Sequence, residues 1–368
     1  MNRLKIGIVG TVRGADFYED FNLFNNVEVT AVMDTDKEAL ENFKNKYEVG
    51  KTFTNYEDLI DSNIDVVVLT SPIHFHAEQA IQALDRNIHV LSEVTAATTL
   101  EDCKLLFEAV KRSKAQYMMA ENYCYIRENV AIHNMVSKGV FGKVYFAEGE
   151  YLHNVKYLHY DKAGNPTWRR RETMGKRGCT YGTHSLGPAL SWFNERVKYV
   201  NCLGPGSHTV PEYENDDTTI MLCRTESGAL IKIRLDMVSN RPHNMGYYSL
   251  QGTKGCYESP RVPGEPGEQH RVWLQDYSRS SEEWIDLEDL YDEFLPKEYI
   301  NLPVERKDSN HWGADYFMIK DFINCILNDK PVRIDIYKAL EYTLPGIISE
   351  KSIKLGGAPI EVPDIKQW

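Results

Sequence analysis

The feature that most constrains the fold lies at the start of the chain, where a short apolar run breaks into a glycine-bearing loop. The run Leu4 to Gly10 predicts a buried strand, and the loop Thr11 to Gly14 leads into a helical pattern. A second apolar run, Val27 to Met33, ends at Asp34. Strand, loop, helix and strand in this order are the opening of a βαβ unit, which implies a parallel sheet.

The same alternation continues through the first third of the chain. Apolar strand patterns at 66–70, 89–92 and 117–120 are separated by helical patterns, the second of which spans 100–113. Continuous apolar strands between helices predict a parallel sheet that is covered on both faces. We therefore predict an α/β fold whose first domain, residues 1–124, is a doubly wound parallel sheet.

The pattern changes in the second part of the chain, residues 125–368. After a helix at 128–138, strands follow one another with few helices between them, at 143–150, 197–203, 218–223, 229–237, 247–252 and 255–259. This order predicts a second domain with a mainly antiparallel sheet. A surface loop is expected at 263–268. Two helices are expected at 314–328 and 336–355, partly packed on the first domain, with a kink or interruption at Pro345.

Composition and charge narrow the classes of function. The formal net charge of -12 and the lack of a basic stripe argue against nucleic acid as a partner. The seven cysteines are scattered and never form C-x-x-C, which is typical of reduced thiols in the cytoplasm and not of disulfides or structural zinc. The chain opens with a charged strand pattern and not with the apolar core of a secretion signal, and it has no run of roughly 18 apolar residues, so we expect no secretion signal and no membrane segment.

The glycine loop and the acid after the second strand together predict a dinucleotide site. Such a loop lets backbone approach a pyrophosphate, and an acid about 20 residues later accepts hydrogen bonds from a ribose diol. The strict G-x-G-x-x-G pattern is absent, because Val12 and Ala15 replace two glycines, so a structural turn is the alternative. The acid repels a 2′-phosphate and favours NAD over NADP, a preference that Arg13 can soften. The predicted contacts are Gly10, Thr11, Val12, Arg13, Gly14 and Asp34.

Polar residues follow the later strands at the edge where open parallel sheets bind ligands. Ser71 and His76 follow the third strand, Glu93 the fourth, and Glu121 with Asn122 the fifth. We predict cofactor contacts at Ser71, His76, Glu93 and Asn122. A helix-capping role for Glu93 and a solvated hinge at 121–125 are the alternatives. The histidine pair at 74 and 76 lacks an acid or cysteine nearby to complete a ligand set, so no metal is expected.

The stretch 180–188 holds a phenol, hydroxyls and an imidazole on a glycine-punctuated turn that enters an apolar helical pattern. Such a loop can hold Tyr181 and His184 at fixed angles for proton transfer. A satisfied histidine at a helix start is the alternative. Trp168, earlier in the chain, precedes three arginines, which either clamp an anionic substrate or form a solvated loop.

Together these residues resemble the Gfo/Idh/MocA family of NAD(P)-dependent oxidoreductases over essentially the whole chain. The resemblance implies a Rossmann domain followed by an α/β domain whose open sheet roofs the nicotinamide. The family's Glu-Lys-Pro corresponds to Glu93 to Thr95, where Val94 replaces the lysine. Its Asp-x-Gly-x-His keeps the glycine and His184, with Thr180 in place of the acid.

Further motifs are similar to the NAD-dependent α-N-acetylgalactosaminidase branch of that family. They lie at 118–123, 141–142, 148–153, 181–188 and 362–364, and the branch's His-Gly-Gly becomes His311, Trp312 and Gly313. The similarity implies a glycosidase in which hydride leaves C3 of the sugar, a base removes the C2 proton, the aglycone leaves C1, water adds and the hydride returns. By motif match, His184 and Tyr181 transfer protons. The implied substrate contacts are Glu121, Glu150, His153 and Trp168.

Two other functions stay open from the sequence. One is a conventional NAD-dependent dehydrogenase of a sugar or polyol, in which His184 alone does the acid and base work. The other is a non-catalytic NAD-binding protein that senses a sugar. The missing lysine disfavours the dehydrogenase, and the intact pair of Tyr181 and His184 disfavours the sensor. The resemblance also implies a homo-oligomer, a dimer or tetramer.

Overall fold

The computed structural model describes residues 3–302 and 310–368, apart from Pro263 and Pro266. The described residues divide into two compact units. The first unit comprises residues 3–122 and 310–340, and the second comprises residues 123–302 and 341–368. The surface loop expected at 263–268 lies partly outside the described residues, because both of its prolines do. Within the described part of the chain, no helix is long and apolar enough to cross a bilayer.

A six-stranded parallel sheet forms the centre of the first unit. Its strands are β1 (Leu4–Val9), β2 (Val27–Met33), β3 (Lys51–Phe53), β4 (Val66–Leu69), β5 (His89–Ser92) and β6 (Tyr117–Met119). They are ordered β3-β2-β1-β4-β5-β6, so the direction of strand addition reverses between β1 and β4, where doubly wound sheets bind ligands. All four residues of β4 are fully buried, as expected for a strand that is covered on both faces.

Three helices of the first unit begin where the sequence supplies a capping oxygen. Side chains of Asp36, Asn55 and Thr99 accept backbone N–H groups in the first turns of the second, third and fifth helices. The first and fourth helices follow Gly10 and Phe75, which provide no capping side chain. These helices are α1 (Thr11–Phe21), α2 (Lys37–Tyr47), α3 (Tyr56–Ile60), α4 (His76–Asp85) and α5 (Leu100–Arg112).

The second unit is organised around a nine-stranded sheet. Its strands are β7 (Val144–Leu152), β8 (Val197–Leu203), β9 (Thr219–Thr225), β10 (Leu230–Asp236), β11 (Asn244–Gly252), β12 (Gly255–Glu258), β13 (Arg271–Leu274), β14 (Ile285–Asp286) and β15 (Ile360–Glu361). The order is β14-β13-β12-β11-β7-β10-β9-β8-β15, with only the pair β7 and β10 parallel among these neighbours. The predicted fold class, a parallel sheet followed by a mainly antiparallel one, is confirmed.

One face of the second sheet is covered by a helix that carries the predicted site. The helices here are α6 (Arg127–Ser137), α7 (Thr183–Phe193), α8 (Tyr291–Phe294) and α9 (Lys297–Ile300). The helix α7 packs on β7, β10 and β11. A Cβ atom on Gly149 of β7 would lie 2.7 Å from the backbone oxygen of Ser185, so glycine allows the start of α7 to touch the strand.

The last two helices are α10 (Ala314–Leu327) and α11 (Ile336–Lys354). The predicted interruption at Pro345 is wrong, because α11 is one helix through that residue. Proline removes one helical hydrogen bond, but Leu344 and Ser349 on either side are buried, so packing holds the helix together. The short strands β3, β13, β14 and β15 were not predicted, because so few residues carry too little apolar alternation.

Candidate active site

The turn after β1 has the backbone that a dinucleotide site requires. Gly10 has a φ of 92°, which favours glycine, and a Cβ atom there would lie 2.8 Å from the hydroxyl of Thr70. The first turn of α1 contains no acidic residue, and the residue before it, Gly10, has no side chain to cap it. Val12 in this turn is 86% exposed. A glycine turn that enters a helix whose first turn carries no acid fits the pyrophosphate of a dinucleotide.

The acid predicted to bind ribose lies beside that turn. One carboxylate oxygen of Asp34 accepts hydrogen bonds from the backbone N–H of Thr11 at 2.8 Å and from its hydroxyl at 2.7 Å. The other oxygen accepts from the N–H of Asp36 at 3.0 Å. The carboxylate is therefore fixed at the end of β2, next to the start of α1, which fits a ribose diol.

Arg13 contacts a cluster of acids. Its guanidinium contacts Glu93 at 2.7 Å, Asp16 at 3.0 Å and Asp315 at 2.9 Å. Burial alone would lower the pKa of Arg13, but the charges of Asp315 and Glu93 outweigh it and raise the pKa well above its usual value. Glu93 and Arg13, both predicted as cofactor contacts, are thus brought together as a charged pair.

Asp315, the first acid of α10, connects several loops of the first unit. Besides Arg13, it accepts a hydrogen bond from the side-chain amide of Asn122 at 2.8 Å and contacts the imidazole of His311 at 3.0 Å. Burial would raise the pKa of Asp315, but the charge of Arg13 outweighs it and holds the pKa far below its usual range. Asp315 was not predicted from the sequence. The one local feature that marks it is its position, as an acid in the first turn of α10 directly after a polar turn.

His76 supports the strand-end loops. It is buried, and its ring nitrogens lie 2.9 Å from the carbonyl oxygen of Thr95 and 2.8 Å from that of Ser71. Burial lowers the pKa of His76. Both nitrogens face backbone carbonyls, and a neutral imidazole donates a hydrogen bond to one of them. A direct contact between His76 and the cofactor stays a prediction. Glu121, at the end of β6, is fully buried.

A cluster of aromatic rings surrounds His184 in the second unit. The imidazole stacks on Tyr123 with ring centroids 4.2 Å apart, and it lies 5.1 Å from Tyr151 and 5.5 Å from Tyr181. We call these four residues the ring cluster. Tyr181 and His184 meet because they flank the start of α7, whereas Tyr151 comes from β7 and Tyr123 from the turn after β6. The prediction that Tyr181 and His184 share a site agrees with this geometry.

His153 extends the ring cluster along β7. The hydroxyl of Tyr151 lies 2.9 Å from Nδ1 of His153, and the backbone N–H of His153 donates to Asp236. The ring of His153 also lies 4.6 Å from that of His243. Tyr151 therefore links His153 to His184. The predicted substrate contact His153 thus lies close to the ring cluster.

Arg169 is the arginine of the run 169–171 whose pKa is affected by phenols of the ring cluster. Its guanidinium lies 4.4 Å from the ring of Trp168, and among the described residues it makes no ion pair with a carboxylate. Burial lowers the pKa of Arg169, and the phenols of Tyr181, Tyr157 and Tyr151 oppose that change. Arg170 instead lies over the ring of Tyr213. The sequence alone did not distinguish Arg169 from its neighbours.

Glu150 is separated from the ring cluster by the sheet itself. Neighbouring side chains of a strand point to opposite faces, so Glu150 faces away from Tyr151 and α7. Its carboxylate pairs with Arg261 at 2.9 Å and is almost completely buried. The structure thus brings His153 next to the ring cluster, whereas the predicted substrate contact Glu150 lies on the other face of the sheet. The contact given for Trp168 is with the guanidinium of Arg169.

Three domain models match this chain. Residues 4–121 match the NAD-binding Rossmann fold of the Gfo/Idh/MocA oxidoreductase family, and residues 130–258 match the Gfo/Idh/MocA C-terminal domain. Residues 196–368 match the C-terminal domain of glycosyl hydrolase 109. Glycosyl hydrolase family 109 proteins from Shewanella putrefaciens and Shewanella pealeana are each 26% identical to the chain; 99% of this chain is covered, and 85% and 86% of theirs.

Solved structures share the fold. Levoglucosan dehydrogenase in complex with NADH and levoglucosan aligns with a TM-score of 0.82 and 19% identity, over 99% of this chain and 100% of that one. The WlbA dehydrogenase from Bordetella pertussis, in complex with NADH and UDP-GlcNAcA, aligns with a TM-score of 0.76 and 20% identity, over 99% of both chains. The resemblance drawn from sequence motifs is confirmed: this chain belongs to the Gfo/Idh/MocA family of oxidoreductases and is similar to its glycosyl hydrolase 109 members.

Proposed function

We propose that this protein is an NAD-dependent glycoside hydrolase. The observation that carries the proposal is the ring cluster, in which the imidazole of His184 lies among three phenols. The dehydrogenases that this chain resembles carry a lysine after the glutamate that corresponds to Glu93, whereas the glycosidase branch carries another residue there. In this chain the position is occupied by the buried Val94. Proton transfer must then come from other groups, and an imidazole with a nearby phenol is suited to it.

The proposed reaction divides its work between cofactor and side chains. Bound NAD supplies a reversible hydride acceptor for C3 of the sugar. The C3 ketone acidifies the proton on C2, and we assign its removal to His184. Tyr181 protonates the departing glycosidic oxygen at C1 and later takes a proton from the water that adds there. His184 returns its proton to C2. The proton that leaves the C3 hydroxyl with the hydride passes to solvent and is taken up again when the ketone is reduced, so protons and hydride balance over the cycle.

Arg169 and His153 are suited to bind the sugar. A partly buried guanidinium without a carboxylate partner among the described residues can donate to hydroxyl or ketone oxygens of a substrate. The positive charge of Arg169 also favours the developing negative charge on the C3 oxygen when C2 loses its proton. Glu121 and Trp168 stay proposed substrate contacts. We leave Glu150 out of this set, because it pairs with Arg261 on the other face of the sheet.

The first prediction concerns cofactor preference. Asp34→Ala removes the acceptor for the ribose diol and the repulsion of a 2′-phosphate, so we expect the Kd of NAD to rise about tenfold and the preference for NAD over NADP to shrink. Arg13 is held by three acids and is not expected to bind the phosphate instead. Calorimetric titration with both cofactors measures this. Thr11→Val is the control for the lost contact with Thr11, and an unchanged preference in Asp34→Ala would contradict the assignment.

A conventional sugar dehydrogenase is the second candidate. Structures with the same fold are dehydrogenases solved with NADH, and one of them contains levoglucosan. Both candidates use the same cofactor, but only the hydrolase exchanges the C2 proton and breaks a glycosidic bond. Exchange of the C2 proton with solvent therefore distinguishes the hydrolase from the dehydrogenase.

A single incubation distinguishes the candidates. Purified protein is mixed with a panel of aryl glycosides in D2O without added cofactor, and aglycone release and deuterium at C2 are followed. We expect release together with deuterium at C2. Stoichiometric reduction of added NAD by a free sugar, without exchange at C2, would reject the hydrolase in favour of the dehydrogenase. Binding of a sugar without turnover would favour a sensor.

We further propose a cytoplasmic location and a homo-oligomeric state. The seven cysteines are free thiols, which supports a reducing compartment. The oligomer, a dimer or tetramer, rests on the resemblance to the family alone. Sedimentation of the purified protein tests it, and a monomer at all concentrations would contradict it.

A further inference from the structure

The turn before α10 has an unusual backbone. His311, Trp312 and Gly313 have φ values of 56°, 54° and 79°, so three consecutive residues are left-handed. This region is disfavoured for a residue with a Cβ atom, and only glycine adopts it freely. Two of the three residues here carry large side chains. Contacts elsewhere in the first unit must therefore hold the turn in place.

Asp315 supplies those contacts. It lies one turn beyond His311, whose Nδ1 is 3.0 Å from its carboxylate. The same carboxylate binds Arg13 from the first turn of α1 and Asn122 from the turn after β6. The side chain of Asp315 is only 4% exposed, so these bonds are shielded from water. The left-handed turn is thereby tied to two segments that follow strands at the carboxyl edge of the parallel sheet.

This arrangement holds a large apolar ring at the surface. Trp312 is 54% exposed although it is an indole, and it is the only tryptophan in the sequence of the first unit. Glycine at this position would remove the backbone strain and the exposed ring together. Flat rings of this kind pack well on the rings of a nucleotide, since both faces are apolar and polarisable.

We propose that Trp312 retains the cofactor, by covering the dinucleotide bound at the turn after β1, and that Asp315 is the positioning residue for its turn. Asp315 binds both Arg13 and Asn122, which are predicted cofactor contacts, so the turn that carries Trp312 is fixed beside the predicted site. The inference rests on dinucleotide binding, which the family shares, and not on the proposed hydrolase reaction. Its test therefore contains no glycoside.

The test measures how fast NADH leaves the protein. The protein is loaded with NADH, excess NAD is added, and the loss of bound NADH fluorescence is followed. Trp312→Gly is expected to release NADH about tenfold faster, which corresponds to about 1.4 kcal/mol, while its melting temperature stays equal or rises as strain is relieved. Trp312→Phe, which keeps a flat ring, is expected to restore most of the slow release.

Two control variants distinguish the effect of the Trp312 ring from the general effect of losing an exposed indole or a left-handed residue. Trp284→Ala removes an indole of similar exposure from the second unit, and Asn194→Gly relieves a left-handed residue with a φ of 51°. Neither is expected to change release. Release at the original rate in a folded Trp312→Gly protein, or equal acceleration in the Trp284→Ala control, would overturn the proposal.

The role of Asp315 is tested by combining variants. Asp315→Asn keeps the shape of the side chain but removes its charge, and we expect faster NADH release through loss of the turn. If Asp315 acts through Trp312, the double variant releases NADH no faster than the quicker single variant. Fully multiplicative effects of the two changes would show that Asp315 does not act through the indole and would overturn its positioning role.

Discussion

His184→Ala is expected to lower both aglycone release and deuterium exchange at C2 by about a thousandfold, while the protein keeps its cofactor. Loss of a positioned acid or base costs a factor of about 10² to 10⁴, and His184 is assigned the proton that defines this reaction. The predicted cofactor contacts lie among residues of the first unit, so we expect NAD to stay bound. Exchange is followed by mass spectrometry and bound NAD by absorbance after denaturation.

The matched control is a second histidine of the same unit. His133 lies on α6 and contacts the backbone oxygen of Ser191 at 3.0 Å, apart from the ring cluster. His133→Ala should exchange C2 at the original rate. Because His184 stacks on Tyr123, its loss also removes packing, so His184→Gln is measured beside it and circular dichroism checks the fold. Unchanged exchange in either folded His184 variant would remove this residue from the reaction.

Asp315→Ala is expected to lower the free energy of unfolding by about 3 kcal/mol. Removing one partner of a buried ion pair leaves the other charge uncompensated, and such losses run to about 3–5 kcal/mol. Here Arg13 would keep Glu93 and Asp16, which places the loss at the lower end. Urea denaturation measures the change. Asp16→Ala is the control, because Asp16 binds the same guanidinium but is 34% exposed, and it should cost less than about 1 kcal/mol.

Low pH should remove the contribution of Asp315 to the free energy of unfolding. The pKa of Asp315 is depressed in the folded protein, so its contribution is complete above the unfolded pKa of about 3.9 and shrinks as the pH falls below it. The stability difference between the original protein and Asp315→Asn should therefore narrow below about pH 4. A difference that stays constant down to acid unfolding, or equal losses in Asp315→Ala and Asp16→Ala, would contradict the network.

Most of the architecture was predictable from local patterns. The strand predicted at 197–203 coincides with β8, and the predicted helix at 100–113 ends one residue past α5. Buried strands and amphipathic helices can be predicted from the spacing of apolar residues along the chain, because the backbone repeat sets which side chains share a face. Edge strands of two or three residues lack enough repeats to do so. The continuous helix through Pro345 was missed because packing overrode a local preference.

The candidate site was predictable only in part. Tyr181 and His184 are three residues apart at a helix start, so their proximity follows from the sequence. Tyr151 meets His184 only because β7 lies under α7. Its neighbour Glu150 faces the other way, and nothing in the motif indicates which of the two residues points at the helix.

The sequence by itself determined the order of helices and strands, the parallel sheet and the glycine at the cofactor turn, since each depends on residues close together in the chain. Only the tertiary structure decided which side chains contact one another. Arg13 and Asp315 are 302 positions apart in the chain, and both ring nitrogens of His76 face backbone carbonyls. Ion pairs and ring contacts depend on distance in space, which arises from the packing of whole elements and leaves no periodic signal in the chain.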